Sequence, residues 1–420
     1  MVRITPSVLQ GKVLVPPSKS YAHRGIIAAF LSGAACCVKN ISMSEDIRAT
    51  LNCAKQLGAK YKYSKKTKTV TIEGGGSVSK ELMLNCGESG STLRFFVPIA
   101  LAMCHRARFT GQGRLMERPL TPYFELFREK NIDYSLKDGV LTLEGSLTAG
   151  DYVIDGSVSS QFITGLLFAL PLLDGDSQIQ IKGSLASKAY VDITLDVLKS
   201  FGVEIINKDY SIFIVKGNQK YKPCTYTVEG DYSQGAFWLV AGALGCRVEC
   251  MGLNPDSLQG DKRIIEIIQS TGARVVTTEG GGIRGVMTSD MHGVTVDADP
   301  IPDLVPILAV FLAFCKGTSR IINAGRLRIK ESDRLSAITA ELKKMGADIT
   351  QGEDILEIKG CQVLKGGDLS AWNDHRIAMA LAIAGCRCEG EVAIKGAKKA
   401  VTKSYEDFFE DYKSLGGVVE

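Results

Sequence analysis

The stretch PSKSYAHR, residues 17–24, follows an apolar run and leads into an apolar helix predicted over residues 25–31. Ser18 or Ser20 suits the cap of that helix, which leaves backbone N–H groups unsatisfied at its start. Lys19 precedes the helix, and the arginine that ends the stretch lies one turn further on. A helix start with two added cations suits an anion such as a phosphate or a carboxylate.

The same pattern of a polar residue opening an apolar helix occurs six times, at spacings of 69 to 73 residues. The six start points are Ser20, Ser91, Ser160, Ser233, Asp303 and His375. A second signal runs in phase with the first and marks the ends of six further helices, at Gly58, Asn131, Gly202, Gly272, Gly346 and Gly416. Self-similarity at a fixed period is typical of repeat architectures, so the chain is predicted to contain six repeats.

Each repeat is predicted to contain a capped apolar helix, a strand, a second helix with charged faces and a pair of strands. The second helices include residues 45–57 and 331–345, and the strand pairs include hairpins over 61–73 and 203–215. The fold class is therefore α/β. If three equivalent helices pack in parallel, their N-termini emerge on one face of a domain, where their dipoles favour anions.

Composition and charge limit the possible classes of protein. The chain has 420 residues, enough for two domains, and 45% apolar with 23% charged residues is ordinary for a globular protein. No apolar run reaches the roughly 18 residues of a membrane span, and no signal peptide is predicted at the start, so we expect a cytoplasmic protein. The 12 cysteines contain no CxxC pair, which predicts reduced thiols without zinc, and a net charge of +4 is too small to indicate nucleic acid.

Nine motifs occur in one order from residue 17 to residue 405: PSKSYAHR, GESGSTLR, RLMERPL, SVSSQF, SKAYVDIT, IPD, RIKESDRL, WNDHRIAM and VTKSY. The ordered set resembles the 5-enolpyruvylshikimate-3-phosphate synthases, a family of enolpyruvyl transferases. The resemblance implies two similar domains, each of three βαβαββ repeats with parallel helices (an inside-out α/β barrel), and an active site in the interdomain cleft. The domains would be residues 18–229, and 1–17 with 230–420, with hinges near 16–18 and 226–230.

The implied reaction transfers the enolpyruvyl group of phosphoenolpyruvate to the 5-hydroxyl of shikimate 3-phosphate and releases phosphate, in the shikimate pathway of aromatic amino acid biosynthesis. The resemblance implies a monomer whose partners are these two small molecules, with no cofactor, metal, nucleic acid or membrane. Both substrates carry a phosphate and a carboxylate, so the site must hold several anionic groups close together, and fixed cations must offset their repulsion.

Residue by residue, the motif matches imply two overlapping binding sets. Shikimate 3-phosphate would be bound by Lys19, Ser20, Arg24, Ser159, Ser160, Gln161, Ser187, Tyr190, Asp303, Arg326 and Lys330. Phosphoenolpyruvate would be bound by Lys19, Gly90, Arg114, Gln161, Arg334, Arg376 and Lys403. Arginine suits these positions because its planar fork binds a carboxylate or phosphate with two hydrogen bonds.

The catalytic residues implied by the resemblance are Lys19, Asp303, Lys330, Glu331 and His375. Asp303 matches the group that binds the ring hydroxyls and takes part in proton transfer. The adjacent Lys330 and Glu331 are expected to neutralise one another while both face the reacting carbon. His375 is expected to orient Glu331 or the leaving phosphate.

Two residues depart from the family pattern, since Glu88 and Arg326 stand where relatives usually have asparagine.

Two other functions are considered. A sister enzyme that transfers enolpyruvyl to a UDP-amino sugar uses a reactive cysteine in a glycine-rich loop, and residues 110–114 contain none. A protein that binds RNA ends or another polyanion on the same repeat would favour a wider basic stripe and stacking aromatic residues.

Overall fold

The computed structural model describes residues 1–76, 82–361 and 363–420. The chain divides into two compact units, one formed by Met1–Ser18 with Glu229–Glu420 and the other by Lys19–Val228. The unit Lys19–Val228 contains the first three repeats, and the other unit contains the last three. Each unit has its own hydrophobic core.

Thirteen helices are found in the described residues, two in each repeat and one more at Ala397–Val401. The first helices of the six repeats are Lys19–Leu31, Gly90–Met103, Ser160–Ala169, Tyr232–Ala243, Val305–Leu312 and His375–Gly385. The second helices are Glu45–Gln56, Thr121–Glu129, Lys188–Ser200, Ile264–Ser270, Arg334–Lys344 and Phe408–Ser414. Every residue of Tyr232–Ala243 and of Val305–Leu312 is buried. Apart from Trp238, whose Nε1 donates to the hydroxyl of Tyr405, their polar side chains lie at the N-terminal end of Tyr232–Ala243.

Two predicted helix starts were wrong. The first helix begins at Lys19 rather than Gly25, because nothing in the sequence after Pro17 interrupts a helix. The helix predicted from Glu331 begins at Arg334, because the Asp333 side chain accepts a hydrogen bond from the backbone N–H of Ser336 at 3.0 Å and so caps the helix there. Glu331 therefore lies in the segment before the helix, where it can turn towards other side chains.

The second helices of the six repeats end where the second periodic signal predicts, which confirms the predicted helix ends. The residues after the second helices have positive φ angles of 96°, 52°, 74°, 89°, 85° and 85°, at Gly58, Asn131, Gly202, Gly272, Gly346 and Gly416. A left-handed residue closes a helix end, and glycine or asparagine adopts that conformation at the lowest cost.

Six four-stranded sheets share one arrangement, in which a parallel pair is followed by two antiparallel neighbours. In the unit Lys19–Val228 the strands, in spatial order, are Thr225–Thr227, Cys36–Lys39, Thr69–Glu73 and Lys60–Ser64; then Met83–Asn85, Arg106–Thr110, Val140–Glu144 and Asp133–Lys137; then Gly150–Asp155, Ser177–Lys182, Ile212–Val215 and Ile205–Lys208. In the other unit they are Gln10–Leu14, Arg247–Met251, Ile283–Val286 and Arg274–Thr277; then Thr295–Asp297, Thr318–Ile322, Leu356–Lys359 and Asp348–Gln351; then Leu364–Ser370, Cys388–Lys395, Val2–Thr5 and Val418–Val419. The recurrence of one strand order six times is the structural form of the six sequence repeats.

Strands distant in sequence complete three of these sheets. Val2–Thr5 pairs with Cys388–Lys395 in the last repeat, and Gln10–Leu14 supplies the first strand of the fourth. Thr225–Thr227 runs parallel to Cys36–Lys39 and supplies the first strand of the first repeat. The chain therefore passes from one unit to the other twice, before Lys19 and after Val228.

Candidate functional site

In the unit Lys19–Val228, the predicted site residues gather around the N-termini of helices, and we call Lys19, Ser20, Arg24, Gly90, Ser159, Ser160, Gln161, Ser187 and Tyr190 the N-terminal cluster. Lys19 lies in the first turn of its helix, and its Nζ is 2.8 Å from Oδ2 of Asp46. Both side chains are largely buried, and Asp46 belongs to the first turn of the helix Glu45–Gln56. The ammonium is therefore fixed in place by a second helix start of the same repeat.

Arg24 is buried, although its place near a helix start had predicted a side chain outside the core. Its guanidinium donates to the carbonyl oxygens of Ser20 and Tyr190 at 2.8 and 2.9 Å, and to Oγ1 of Thr194 at 2.8 Å and of Thr164 at 3.4 Å. Burial lowers its pKa to about 10, and neighbouring tyrosines offset part of that effect. Arg24 thus joins the first repeat to the third and holds the backbone of two predicted substrate-binding residues.

His23 belongs to a buried chain of hydrogen bonds that the sequence did not predict. Its Nδ1 is 2.6 Å from Oγ1 of Thr50, which is 2.8 Å from Oγ1 of Thr92, and the Thr92 hydroxyl donates to Oγ of Ser89 at 2.8 Å. Burial, and then the charges of Lys19 and Arg24, hold the pKa of His23 well below its ordinary value, so the ring is neutral at pH 7. Since Ser89 caps the helix Gly90–Met103, the chain ties the first helix of repeat one to that of repeat two.

Gln161 is oriented from both ends of its side chain. Its Nε2 donates to Oγ of Ser91 at 2.9 Å, and its Oε1 accepts from Nη1 of Arg94 at 2.7 Å. Arg94 is itself buried and lies over the ring of Phe162, 5.0 Å from its centroid. Arg94 ends the motif GESGSTLR, three residues after the predicted helix start Ser91, and the structure gives it a role in positioning Gln161.

Gly90 is the first residue of its helix, and it is crowded by two guanidinium groups. A Cβ at this position would lie 2.8 Å from Nη1 of Arg118 and 3.2 Å from Nη1 of Arg94. Arg118 was not among the predicted site residues, although it lies within the motif RLMERPL. Only a glycine leaves room for both cations above this helix start.

Three serines predicted to bind shikimate 3-phosphate, Ser159, Ser160 and Ser187, lie at two helix starts. Ser159 caps the helix Ser160–Ala169 by accepting from the backbone N–H of Gln161 at 3.3 Å. Ser187 precedes the helix Lys188–Ser200 in a left-handed conformation, with φ of 53°, and its side chain is buried, as is that of Ser160. Hydroxyls and backbone N–H groups therefore accumulate where a helix dipole favours an anion.

Arg114 differs from the other cations because about half of its side chain is exposed, and its Nε is 3.7 Å from Oε2 of Glu117. Glu88 lies close by, and its carboxylate would be 2.9 Å from a Cβ built on Gly113. The unusual glutamate therefore packs against the backbone immediately before Arg114.

In the other unit, we call Asp303, Lys330, Glu331, Arg334, Asp374, His375, Arg376 and Lys403 the C-terminal cluster. Arg334 lies at its centre and is 1% exposed. Its guanidinium donates to Asp374 at 2.8 Å, to Asp303 at 2.8 Å and to Glu331 at 2.7 Å. Burial alone would lower the pKa of Arg334, but the three carboxylates together raise it above its ordinary value.

Asp303 lies between cations. Its Oδ1 accepts from Arg334, its Oδ2 is 3.0 Å from Nη2 of Arg376, and Nζ of Lys330 is 3.9 Å from Oδ1. Burial raises the pKa of Asp303, but Arg376, Lys330 and Arg334 together hold it below its usual range. Asp303 is thus an ionised carboxylate whose basicity is suppressed by its neighbours.

The expected mutual neutralisation of Lys330 and Glu331 is not the main pairing. Glu331 is one helical turn before Arg334 and pairs with it, whereas Lys330 faces Asp303. Burial lowers the pKa of Lys330 to about 8, although Asp303 opposes that shift. The amine can therefore both hold and release a proton near neutral pH.

Asp374 caps the helix His375–Gly385 and is fully buried. It accepts from the backbone N–H of Arg376 at 2.9 Å and from the Ser332 hydroxyl at 3.0 Å, in addition to Arg334. Nδ1 of His375 is 4.0 Å from Oδ1 of Asp374, so a carboxylate other than the expected Glu331 lies beside this histidine.

Two further cations of this unit bond to backbone carbonyls. Lys403 is buried, and its Nζ donates to the carbonyl oxygen of Asn373 at 2.6 Å. Arg326, the second departure from the family pattern, donates through Nη2 to the carbonyl of Asp299 at 2.6 Å and to its Oδ1 at 2.8 Å.

Asp261 is a buried carboxyl that sequence reasoning missed. The hydroxyl of Ser233 donates to its Oδ2, and its Oδ1 has no hydrogen-bond partner among the described residues. Burial, and then repulsion from Asp303, raise the pKa of Asp261 to about 7. The available signal was the acidic residue of Gln259-Gly260-Asp261, which is weak because a short polar loop is common.

The two clusters have the chemistry of anion sites with titratable groups beside them. Within residues 1–76, 82–361 and 363–420 no group of histidine, cysteine and acidic side chains is suited to a metal ion. Over the same residues no helix is long and apolar enough to cross a bilayer. The positive charge of the two clusters comes from arginine and lysine side chains and from helix N-termini.

Comparisons with known proteins agree over the whole chain. A family model described as EPSP synthase (3-phosphoshikimate 1-carboxyvinyltransferase) matches residues 4–412. The 3-phosphoshikimate 1-carboxyvinyltransferase of Clostridium perfringens is 50% identical over 421 residues, which cover 100% of this chain and 99% of the relative. That of Clostridioides difficile is 48% identical over 434 residues and covers 100% and 98%.

Solved structures show the same similarity. An EPSP synthase from Acinetobacter baumannii has a TM-score of 0.82 at 25% identity and covers 100% of this chain and 99% of that one. The enolpyruvyl transferase NikO from Streptomyces tendae has a TM-score of 0.80 at 16% identity, covers 100% and 98%, and shares the fold.

Proposed function

This chain belongs to the EPSP synthase (3-phosphoshikimate 1-carboxyvinyltransferase) family, and from that premise we propose that its two clusters bind the two anionic substrates of the transferase reaction. The enzyme transfers the enolpyruvyl group of phosphoenolpyruvate to the 5-hydroxyl of shikimate 3-phosphate in the shikimate pathway. The observation that carries the assignment of the site is the charge arrangement of Asp303, which Arg334, Arg376 and Lys330 surround.

The N-terminal cluster binds shikimate 3-phosphate. Ser159, Ser160 and Ser187 receive its phosphate at the starts of two helices, where hydroxyls and backbone N–H groups donate. Lys19 and Ser20 bind the remaining anionic and hydroxyl groups, and Tyr190 and Gln161 lie beside the ring. Arg24 acts mainly on the backbone of Ser20 and Tyr190, because four of its hydrogen bonds already go to protein atoms.

Of the residues that we assign to phosphoenolpyruvate, Arg334, Arg376 and Lys403 belong to the C-terminal cluster, and Gly90, Gln161 and Arg114 belong to the unit Lys19–Val228. The carboxylate of the substrate competes with Asp303 for Arg334 and Arg376, since a guanidinium has a limited number of N–H donors. When the substrate takes these donors, the cations that suppress the basicity of Asp303 are partly neutralised, and its pKa rises.

The reaction then proceeds by addition and elimination. Asp303 accepts the proton of the 5-hydroxyl as the oxygen attacks C2 of phosphoenolpyruvate, and Lys330 or Glu331 delivers a proton to the methylene carbon C3. In the second step a proton leaves C3, the C2–C3 double bond forms again, and the C2–O bond to phosphate breaks. Lys330 suits both directions because its pKa of about 8 lies near the working pH.

A coupled assay of phosphate release with both substrates tests the proposal. Release that requires shikimate 3-phosphate and phosphoenolpyruvate together, and that is lost in Asp303→Asn, is expected. Release with a UDP-amino sugar as acceptor instead would favour the sister enzyme. That outcome is disfavoured by the loop of residues 110–114, which contains no cysteine for the chemistry expected of the sister enzyme.

A further inference from the structure

The segment Ser370–Asp374 leads into the helix His375–Gly385 and carries two consecutive left-handed residues. Trp372 has φ of 52° and Asn373 has φ of 53°. A large aromatic residue is unfavourable in this conformation, so surrounding contacts must hold it. The carbonyl of Asn373 accepts from Nζ of Lys403, and Asp374 accepts from Arg334.

One helix contacts this segment at both ends. At the start of Arg334–Lys344, Arg334 donates to Asp374. Two turns later Glu341, which is buried, accepts from the backbone N–H of Ser370 at 3.0 Å and from Nε1 of Trp372 at 2.7 Å. The left-handed pair therefore lies between two anchors on a single rigid element.

The hydrogen bonds of Glu341 require a carboxylate with four acceptor sites. Besides Ser370 and Trp372, both of its oxygens accept from Nζ of Lys344 at 2.9 Å. A glutamine would place an N–H₂ donor against at least one of these donors, so the amide cannot satisfy all of them. The burial of a charged carboxylate away from any reacting group is costly, and it is offset here by bonds to the segment that positions Asn373.

We propose that Glu341 is a positioning residue for the transferase site, acting through Trp372 and Asn373 to place the ammonium of Lys403 and the guanidinium of Arg376. This inference rests on the proposed role of Lys403 and Arg376 in binding phosphoenolpyruvate. Loosening the Trp372–Asn373 turn displaces a carbonyl that holds Lys403 and changes the start of the helix that carries Arg376. The effect falls on phosphoenolpyruvate more than on shikimate 3-phosphate.

Trp372 also supplies a reporter that does not depend on activity. The chain has two tryptophans, and Trp238 is fully buried in the core whereas Trp372 is partly exposed. The difference between the emission of the wild type and that of Trp372→Phe isolates Trp372. The difference between the emission of Glu341→Gln and that of the double variant Glu341→Gln/Trp372→Phe isolates the emission of Trp372 when the Glu341 carboxylate is absent.

The test combines steady-state kinetics with this fluorescence difference. In Glu341→Gln the KM for phosphoenolpyruvate is expected to rise about tenfold while the KM for shikimate 3-phosphate changes less than about twofold. The Trp372 emission is expected to shift because Nε1 loses a charged acceptor. Trp372→Phe, which removes the Nε1–H donor together with part of the ring but leaves Glu341 in place, is expected to raise the same KM by a smaller factor.

Glu357→Gln is the matched control, since this exposed carboxylate pairs with Arg320 on a strand of the same unit. It is expected to leave both KM values and the emission unchanged. Unchanged KM for phosphoenolpyruvate in both Glu341→Gln and Trp372→Phe, with an active wild type, would overturn the inference. A wild type without phosphate release would instead overturn the proposed function, and the emission shift would still report whether Glu341 holds the turn. If Glu341→Gln does not fold, Trp372→Phe alone decides, by its KM for phosphoenolpyruvate.

Discussion

Oδ1 of Asp303 lies 2.8 Å from Nη1 of Arg334, so the group expected to act as a base is bonded to a cation expected to bind substrate. While this bond is present, Arg334 cannot offer the same N–H to a substrate anion, and Asp303 has a lowered affinity for a proton. In the free enzyme Asp303 stays ionised, because its pKa is held below its usual range. On the proposed assignment of Arg334 to phosphoenolpyruvate, the binding of that substrate and the activation of Asp303 would be a single event.

Asp303→Asn is expected to lower kcat about a hundredfold or more, the usual contribution of a general base. Asp303→Asn is also expected to make the free energy of unfolding depend less on pH under acidic conditions. A carboxylate with a depressed folded pKa stabilises the fold above the unfolded pKa of 3.8 and loses that contribution as the pH falls. Turnover at pH 7 and unfolding between pH 2 and 7 measure the two effects, with Asp297→Asn, an exposed carboxylate, as control. Wild-type kcat in Asp303→Asn would exclude it as the base.

Lys19→Ala and Arg24→Ala are both expected to reduce turnover, but only the second is expected to destabilise the protein strongly. Arg24 is buried with four hydrogen bonds, and its loss leaves carbonyls and hydroxyls unsatisfied, at about 2 to 4 kcal/mol. Removal of Lys19 leaves Asp46 in the first turn of a helix, where the dipole tolerates a carboxylate. Urea unfolding measures the stability of each variant, and assays at saturating substrate measure its turnover. An equal loss of stability in both variants would contradict this prediction.

The contrast between Lys19 and Arg24 shows how far the sequence could lead. Periodicity predicted the six repeats, the ends of the six second helices and the concentration of cations at helix starts, because local rules govern those features. It could not predict that Arg24 turns into the core or that Glu331 pairs with Arg334 rather than Lys330. The position of Arg24 depends on contacts between repeats. The pairing of Glu331 depends on the cap at Asp333, which starts the helix at Arg334 and leaves Glu331 before it. Asp261 escaped detection because burial, which gives it its chemistry, is invisible in a short polar loop.

Asp261→Asn is expected to stabilise the protein most at neutral and higher pH. The folded pKa of about 7 exceeds the ordinary value of 3.8, so the folded state keeps a proton that the unfolded state has lost. Stability is therefore full below pH 4 and decreases as the pH rises to about 7, by up to about 1.4 kcal/mol per pH unit. Unfolding free energies from pH 4 to 8 test this. Parallel curves for wild type and Asp261→Asn would show that the carboxyl does not titrate in this range.

The pH dependence of turnover is expected to show a decrease above about pH 8. Burial lowers the pKa of Lys330 to that value, and deprotonation removes both its charge beside Asp303 and its capacity as an acid. Lys330→Arg keeps the charge but cannot release a proton near neutrality, so kcat should fall at every pH and the limb near pH 8 should vanish. Profiles of kcat between pH 6 and 10 for the two proteins measure this, and an unchanged limb in the variant would assign it to another group.

Gly90→Ala is expected to raise the KM for phosphoenolpyruvate while changing stability little. The new Cβ would lie 2.8 Å from Nη1 of Arg118 and 3.2 Å from Nη1 of Arg94. Both atoms are the ends of flexible side chains, so they move aside and the helix survives. The displaced guanidiniums no longer occupy their places around Gln161, which accepts from Arg94.

The kinetic effect of Gly90→Ala should therefore be selective for one substrate. The phosphate of shikimate 3-phosphate is assigned to the serines of other helix starts, and among the residues that Gly90→Ala disturbs only Gln161 is shared between the two substrates. The KM for shikimate 3-phosphate should therefore rise much less than that for phosphoenolpyruvate, which rises about tenfold or more. Gly367→Ala is the control, because a Cβ there meets open space and the residue has no positive φ. If Gly90→Ala raised both KM values equally, the crowding would act on the whole cluster and Gly90 would lose its assignment to phosphoenolpyruvate.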